Sequence, residues 1–297
     1  MADKMLEANE KARKLAQEVY ALARQITAEI HAGHHRPAVR FTLEPGEPGI
    51  FESKAGGTAY LPHDMPWPLD GSGEGLGLLA QVDCAGLAGL PDFPTAGLLQ
   101  FFISFGDLWG HSFDDPTDAI GFRVYYHEAV DRTVTAEEVE AKRPPKPDGA
   151  DEWFPLCKNC RIILSPPAEQ GMNETDPRFD PLFAERWNAL RPDAPVTGTW
   201  DMHELVPERL RDYSTTSQPG WDATFHQLGG YPYFTQDDPR SGQCEDLDTL
   251  LFQLDSDLPD GGDLVLWGDC GVGNFFINRE ALKRRDFSRV AYTWDCC

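Results

Sequence analysis

Two short segments of this 297-residue chain place an amide and carboxylates on one face of a predicted β-strand. The first carries Gln81 and Asp83, and the second carries Gln253, Asp255 and Asp257. Side chains two positions apart in a strand point the same way, so each segment has a polar and an apolar face. Carboxylates in a shared cleft can act as acid and base or hold a metal ion that activates water. One hypothesis is therefore a carboxylate-based or metal-assisted hydrolase, with its site where the two Gln-x-Asp strands meet.

Three further residues complete this candidate polar cleft. Asp107 and Asp269 each follow a glycine, and His226 lies just before the pair Gly229-Gly230. A structural interpretation competes with catalysis and is favoured here. Amides, carboxylates and imidazoles at strand ends often hydrogen-bond the backbone of neighbouring Gly-rich turns. Related segments of one chain would need the same turns without needing the same catalysis.

A single C-x-x-C motif, formed by Cys157 and Cys160, is the other group with possible chemistry. A structural zinc site needs four ligands, and the sequence offers no second pair at a suitable spacing. A thioredoxin-like site should open a helix, whereas Arg161 to Leu164 has the pattern of a strand. We therefore treat the two cysteines as weak metal candidates and predict neither a bound metal nor another cofactor.

The charge of the chain limits its partners. The chain has 26 Lys and Arg against 49 Asp and Glu, which gives a formal net charge of −23. Phosphate backbones and anionic membranes attract positive surfaces, so we expect neither nucleic acid nor membrane as a partner. The acidic field favours a basic protein instead. The polar start of the chain and the odd number of cysteines, seven, favour a cytoplasmic location with reduced thiols.

The elements that would position these residues begin with one long helix. Leu15, Val19, Leu22, Ile26 and Ile30 recur at helical spacing, which predicts an amphipathic N-terminal helix within residues 1–36. Short apolar runs separated by Gly, Pro and Asp then predict strands. The clearest predicted strands are 76–83, 97–105, 120–127, 250–255, 263–267 and 274–278.

Two shorter helices are predicted between the strands. Thr135 and Glu138 form a capping box for a helix that ends before Pro144. Asp180 is the predicted N-cap of a second helix, because a proline follows it and Leu182 to Leu190 is a good helical segment.

An internal repeat organises the body of the chain. The Gly-Gly-x-x-Tyr element that begins at Gly56 recurs at Gly229, and the Gln-x-Asp element that begins at Gln81 recurs at Gln253, with nearly the same offset. The prediction is a single domain over 37–297, with repeat units 50–128 and 225–295 around an insertion at 129–224. The predicted fold class is α+β: mostly antiparallel β, with duplicated β-rich units, an N-terminal helix and a central helix-containing insertion.

Seven motifs of the chain are informative together. They are Gly57–Pro62 with Trp67-Pro68, Leu79–Asp83, Gly229–Pro232 with Gln236, Leu251–Asp257, Trp267–Ile277, Asp286–Ser288 and Trp294–Cys296. With these motifs the chain resembles the YwqG-like bacterial family of cytoplasmic α+β domains. The resemblance covers about residues 40–297 and implies an immunity or protein-binding role, with no catalytic residues to transfer.

We therefore expect a non-catalytic protein-binding module that acts through an acidic surface, and the resemblance implies an immunity-type module as one form of it. The hydrolase remains the alternative. Whether Asp83 and Asp255 face one pocket distinguishes the two hypotheses.

Overall fold

The computed structural model describes residues 2–147, 149, 154–216, 226–236 and 238–296. Contacts divide the chain into two compact units. The first unit comprises Met1–Arg36 and Glu169–Ala223, and the second comprises Pro37–Ala168 and Thr224–Cys297.

Five α-helices and eleven strands make up the regular structure of the described residues. The helices are α1 (Ala2–Gly33), α2 (Ala136–Glu140), α3 (Phe179–Leu190), α4 (Thr199–Glu204) and α5 (Arg279–Lys283). The strands are β1 (His35–Pro45), β2 (Lys54–Ala55), β3 (Gly77–Asp83), β4 (Leu98–Ile103), β5 (Phe122–His127), β6 (Cys160–Leu164), β7 (Ala168–Gly171), β8 (His226–Gly229), β9 (Thr249–Asp255), β10 (Val272–Ile277) and β11 (Val290–Asp295).

The first unit is built on the contact between α1 and α3. Helix α1 has the predicted length and buries Val19, Ile26 and Ile30, whereas α3 buries Phe183 and Trp187. Burial of these side chains supplies the stability that an isolated helix lacks. No helix in the described part of the chain combines the length and the apolar composition needed to cross a bilayer.

The start of α3 differs from the prediction. Its N-cap is Arg178, which makes no side-chain capping bond, so the prediction of Asp180 as the cap is wrong. The Asp180 carboxylate instead accepts hydrogen bonds from the backbone N–H and the hydroxyl of Thr199, at 2.9 and 3.0 Å. The carboxylate that the local sequence predicts as the helix cap is therefore used in a tertiary contact instead.

The second unit contains an antiparallel sheet whose strands follow the order β11-β10-β9-β8-β1-β6-β2-β3-β4-β5. The two ends of this order have the same plan, because β2 to β5 correspond to β8 to β11. Leu79 and Leu251 even occupy equivalent bulges, in β3 and β9 respectively. The predicted α+β class and the duplicated β-rich units are confirmed.

β1 precedes the first repeat in sequence and β6 precedes the second, but each of these strands pairs with the other repeat. β1 pairs with β8 of the second repeat, whereas β6 pairs with β2 of the first. β1 and β6 also pair with each other, with Thr42 opposite Ile163 and Phe41 opposite Leu164. The residue pairs that flank Thr42 and Ile163 in the β1–β6 ladder are equivalent. A pseudo-two-fold axis therefore relates the two halves of the sheet and passes between these two residues.

A shared apolar core joins the two halves of the sheet. Phe101 of β4 stacks on Phe252 of β9 with 4.5 Å between ring centroids, and it also contacts Phe275 of β10 at 4.8 Å. Ala80 and Val82 of β3 belong to the same core. The side chains that alternate with these residues therefore point away from the core, and Gln81 is one of them.

The predicted strand at 263–267 is wrong. Val265 forms only isolated bridges, to Leu156 and to Asp257, and its side chain is buried in the core. A buried apolar run in a loop has the same sequence pattern as a short strand.

Candidate functional site

Gln81 is completely buried and hydrogen-bonds the loop that follows β2. Its Oε1 accepts from the backbone N–H of Tyr60 at 2.9 Å and from Nε2 of Gln100 at 2.8 Å. Its Nε2 donates to the carbonyls of Ile50 and Glu52 at 2.8 and 3.0 Å. The amide therefore holds the Gly-Gly-x-x-Tyr loop and the segment before β2 in place.

The second repeat contains the same arrangement. Gln253 accepts from the backbone N–H of Tyr233 at 2.8 Å, as Gln81 does from Tyr60. Asn274 donates to the carbonyl of Tyr233 at 2.9 Å, and Gln100 makes the equivalent bond to Tyr60. Because the same loop is held in both halves, these amides have a structural role that the duplication preserves.

His226 also has a counterpart in the first repeat, which is Ser53. The Ser53 hydroxyl accepts from the backbone N–H of Asp83 at 2.8 Å, and Nδ1 of His226 accepts from that of Asp255 at 3.1 Å. An accepting Nδ1 places the imidazole proton on Nε2, which lies 3.4 Å from the carboxylate of Asp257. His226 is buried and stacks on Phe41, so it positions the end of β9.

The predicted aspartates occupy separate positions. Asp83 caps the short 3-10 helix Cys84–Leu87 by accepting from the backbone N–H of Ala85, and Asp255 accepts from that of Ser256. Asp107 is exposed in the loop after β4, and Asp269 is exposed and accepts from the backbone N–H of Cys270.

The structure thus brings together His226, Asp255 and Asp257 but does not form the shared cleft. Four strands separate β3 from β9 in the sheet order. Gln81 and Gln253 point away from a core that both halves share, and each bonds its own loop. The geometry gives the Gln-x-Asp strands no common substrate position.

A cavity of about 380 Å³ lies beside the first of these loops, and we call it the basic pocket. This volume is typical of small-molecule sites. The lining residues are Gly56, Gly57, Trp67, Gly75–Leu78, Phe105, Arg143–Lys146, Phe154 and Leu156–Asn159. Gly56 and Gly57 both have positive φ, at 74° and 73°, a conformation that other residues rarely adopt.

A family model covers nearly all of the second unit and both repeats. The model, described as a domain of unknown function (DUF1963), matches residues 53–296. The chain belongs to the DUF1963 family. The matched region begins at Ser53 and includes the basic pocket. A comparison with curated proteins gives no match.

One loop-holding residue of this DUF1963 domain is a lysine. Lys54 has no exposed surface, and its Nζ donates to the carbonyl of Gly49 at 2.8 Å and to that of Thr58. Gln227 occupies the equivalent position and donates to the carbonyl of Tyr231 at 2.6 Å. Burial lowers the pKa of Lys54 from 10.5 to about 8.

The lowered pKa of Lys54 predicts a pH-dependent stability. Between pH 8 and 10.5 the unfolded chain holds the lysine proton more strongly than the folded chain, so this group's contribution to stability rises with pH. From pH 7 to 10 the free energy of unfolding should rise by about 2–3 kcal/mol more in the wild type than in Lys54→Gln. Urea denaturation at each pH measures this difference. If the free energy of unfolding changed equally with pH in the wild type and in Lys54→Gln, the lowered pKa of Lys54 would be contradicted. Lys283→Gln, at an exposed position, is the control.

The two cysteines of the C-x-x-C motif have different surroundings. Cys157 is exposed in the basic pocket, whereas Cys160 is buried in the core. Burial and the nearby Asp263 raise the pKa of Cys157, and burial raises that of Cys160 to about 11. A raised pKa makes a thiol a poorer nucleophile and metal ligand. Among the described residues, no cluster of three His, Cys, Asp or Glu side chains is arranged to bind a metal ion.

Sequence reasoning missed the basic pocket of this DUF1963 domain. Its walls come from segments that are widely separated along the chain, from Gly56 to Asn159, so no local motif marks it. One signal was available in the sequence. Lys142, Arg143 and Lys146 lie close together inside a strongly acidic chain.

Proposed function

We propose that this DUF1963 protein is a non-catalytic binding protein that recognises a basic protein partner through an acidic surface. The observation that carries this proposal is the loop 106–120, which we call the acidic loop. It contains four aspartates and no lysine or arginine, and its Phe113 is 71% exposed. An exposed aromatic ring beside several aspartates combines a binding anchor with electrostatic steering.

The acidic loop is held in a fixed position by the second repeat. The backbone N–H of Tyr292 donates to the carbonyl of Pro116 at 2.9 Å, and Nε1 of Trp294 donates to that of Leu108 at 2.9 Å. Trp109 packs against Trp267 and Trp294, with ring centroids 5.3 and 4.4 Å apart. A loop fixed in this way loses little conformational entropy when a partner binds.

Apolar side chains extend the surface around Phe113. Leu108 and Ile120 of the acidic loop are 42% and 58% exposed. Asp107, Asp114 and Asp115 are exposed beside them. A basic segment with apolar side chains would match both properties of this surface.

Two further arguments support the proposal. The paired amides are occupied by loop backbone, so no observation favours the hydrolase. The thiols of Cys84, Cys157, Cys160 and Cys244 are free, which agrees with the reducing cytoplasm that we propose as its location. The resemblance to the YwqG-like family supports the same role, because it implies an immunity or protein-binding function.

Capture of basic proteins with point variants tests the proposal. Immobilised wild type should retain a basic protein at low salt and release it at high salt. With that protein purified, Phe113→Ser should weaken binding about tenfold or more, because an aromatic anchor is lost. Asp107→Asn with Asp114→Asn should slow association by a few-fold.

A second double variant, with two aspartates replaced elsewhere, distinguishes binding at the acidic loop from a general effect of the net charge. Asp260 and Asp263 are exposed outside the acidic loop, so Asp260→Asn with Asp263→Asn removes the same charge. Binding that both aspartate pairs weaken equally, or that Phe113→Ser leaves unchanged, would refute the acidic loop as the docking surface.

A further inference from the structure

The basic pocket has a charge opposite to that of the chain around it. Its described lining residues include Arg143, Lys146 and Lys158 and no carboxylate, although the chain carries a net charge of −23. Long basic side chains in an acidic protein are attracted to its surface carboxylates. Three of them around one cavity therefore indicate an anionic ligand.

Arg143 is held rigidly at this cavity. Its guanidinium carbon lies 4.4 Å from the centre of the Trp67 ring, and its Nη2 donates to the carbonyl of Gly57 at 2.9 Å. The same Nη2 lies 3.3 Å from the Glu140 carboxylate, which offsets part of the charge. Nε of Arg143 is buried and has no hydrogen-bond partner among the described residues. A guanidinium fixed in this way at the cavity wall is suited to phosphate and carboxylate groups.

Lys158 supplies a second, less constrained cation. Within the described part of the chain, its Nζ makes only long contacts, 3.4 and 3.3 Å, to the carbonyls of Gly261 and Gly262. The side chain is exposed, so it can turn toward a ligand at little cost. This mobility makes Lys158 a suitable site for a mild substitution.

Several aromatic and aliphatic side chains line another part of the basic pocket. Phe105 and Phe154 pack against each other with ring centroids 4.9 Å apart, and Leu156 and Trp67 complete this side. Aromatic walls favour a flat apolar group, which the rings can contact by stacking or by their edges. The cavity therefore offers cations and rings within one small volume.

We infer that the basic pocket binds a small molecule that carries a phosphate or carboxylate group on an aromatic body. The anionic group lies against Arg143 and Lys158, and the ring lies against Phe105 and Phe154. This inference is independent of the acidic loop, which takes a protein partner of the opposite charge.

The free thiol of Cys157 provides a local readout, because it lines the pocket and is exposed. Alkylation of Cys157 by iodoacetamide, followed by peptide mass spectrometry, should slow in a saturable way when phenyl phosphate or benzoate is added. Inorganic phosphate should protect at higher concentration, and the neutral benzamide should not protect. Cys270 is exposed and is not a lining residue, so its alkylation should stay constant in every sample.

Three variants identify the cations that bind the anion. Arg143→Gln should raise the phenyl phosphate concentration that half-protects Cys157 by roughly tenfold or more, because a charge-assisted bond is lost. Lys158→Gln should raise it by a few-fold without loss of stability. Lys283→Gln removes an exposed lysine outside the pocket and should leave it unchanged.

Three results would each overturn the inference. They are a lack of protection of Cys157 by both aromatic anions, equal protection by benzamide, and unchanged protection in Lys158→Gln. Thermal unfolding of each variant shows whether Arg143→Gln is folded, and Lys158→Gln keeps the test valid if it is not. Loss of protein binding in Phe113→Ser with Cys157 protection intact would show that the two proposals are separate.

Discussion

Replacing Gln81 by leucine should lower the free energy of unfolding by about 3–5 kcal/mol, because three backbone groups that bond this buried amide would lose their partner. These groups are the N–H of Tyr60 and the carbonyls of Ile50 and Glu52. Leucine has a similar volume and neither donates nor accepts, so the change isolates the hydrogen bonds. Urea denaturation of the purified variant measures the loss.

The control is a glutamine with an exposed side chain. Gln243 donates to the carbonyl of Pro239 at the surface, and Gln243→Leu should change stability by less than about 0.5 kcal/mol. Gln253→Leu should destabilise in the same direction as Gln81→Leu, because it holds the equivalent loop. A Gln81→Leu variant as stable as the wild type would contradict the structural role and reopen a functional one.

The duplication explains why part of the fold could be predicted. Each landmark occurs twice, so weak local signals around Gln81 and Gln253 support one another. The capping box at Thr135 is equally direct, since its hydroxyl accepts from the backbone N–H of Glu138 as predicted. Local patterns are reliable where the residues that interact are close in sequence.

The exchange of β1 and β6 could not be predicted in this way. β1 pairs with β8 although β2 is nearer in sequence, and β6 pairs with β2 although β8 is nearer, so the choice depends on the whole sheet. The basic pocket has the same origin, because Trp67 and Arg143 are far apart in sequence and meet only in the folded chain. Asp180 shows the converse, because a contact with Thr199 replaces its expected local role. The single-domain boundary at residue 37 stays a prediction.

Replacing Gly110 by alanine should destabilise the protein by about 3 kcal/mol or more and should also weaken binding through the acidic loop. Gly110 has a φ of 83°, and a Cβ there would lie 1.9 Å from the carbonyl oxygen of Gly121. That oxygen accepts from the backbone N–H of Ser104 at 2.9 Å, so it cannot move without loss of a bond between the two ends of the loop. Urea denaturation measures the first effect, and partner binding measures the second.

Gly106 provides the matched control within the same loop. A Cβ at Gly106 would meet nothing closer than the Ser104 hydroxyl at 4.0 Å, and its φ is not positive, so Gly106→Ala should be nearly neutral. Equal stability of the two variants would show that the loop base is not closely packed. If Gly110→Ala remains folded but binds the partner more weakly, the displaced position of the Phe113 ring would be the cause, because every group that contacts the partner would still be present.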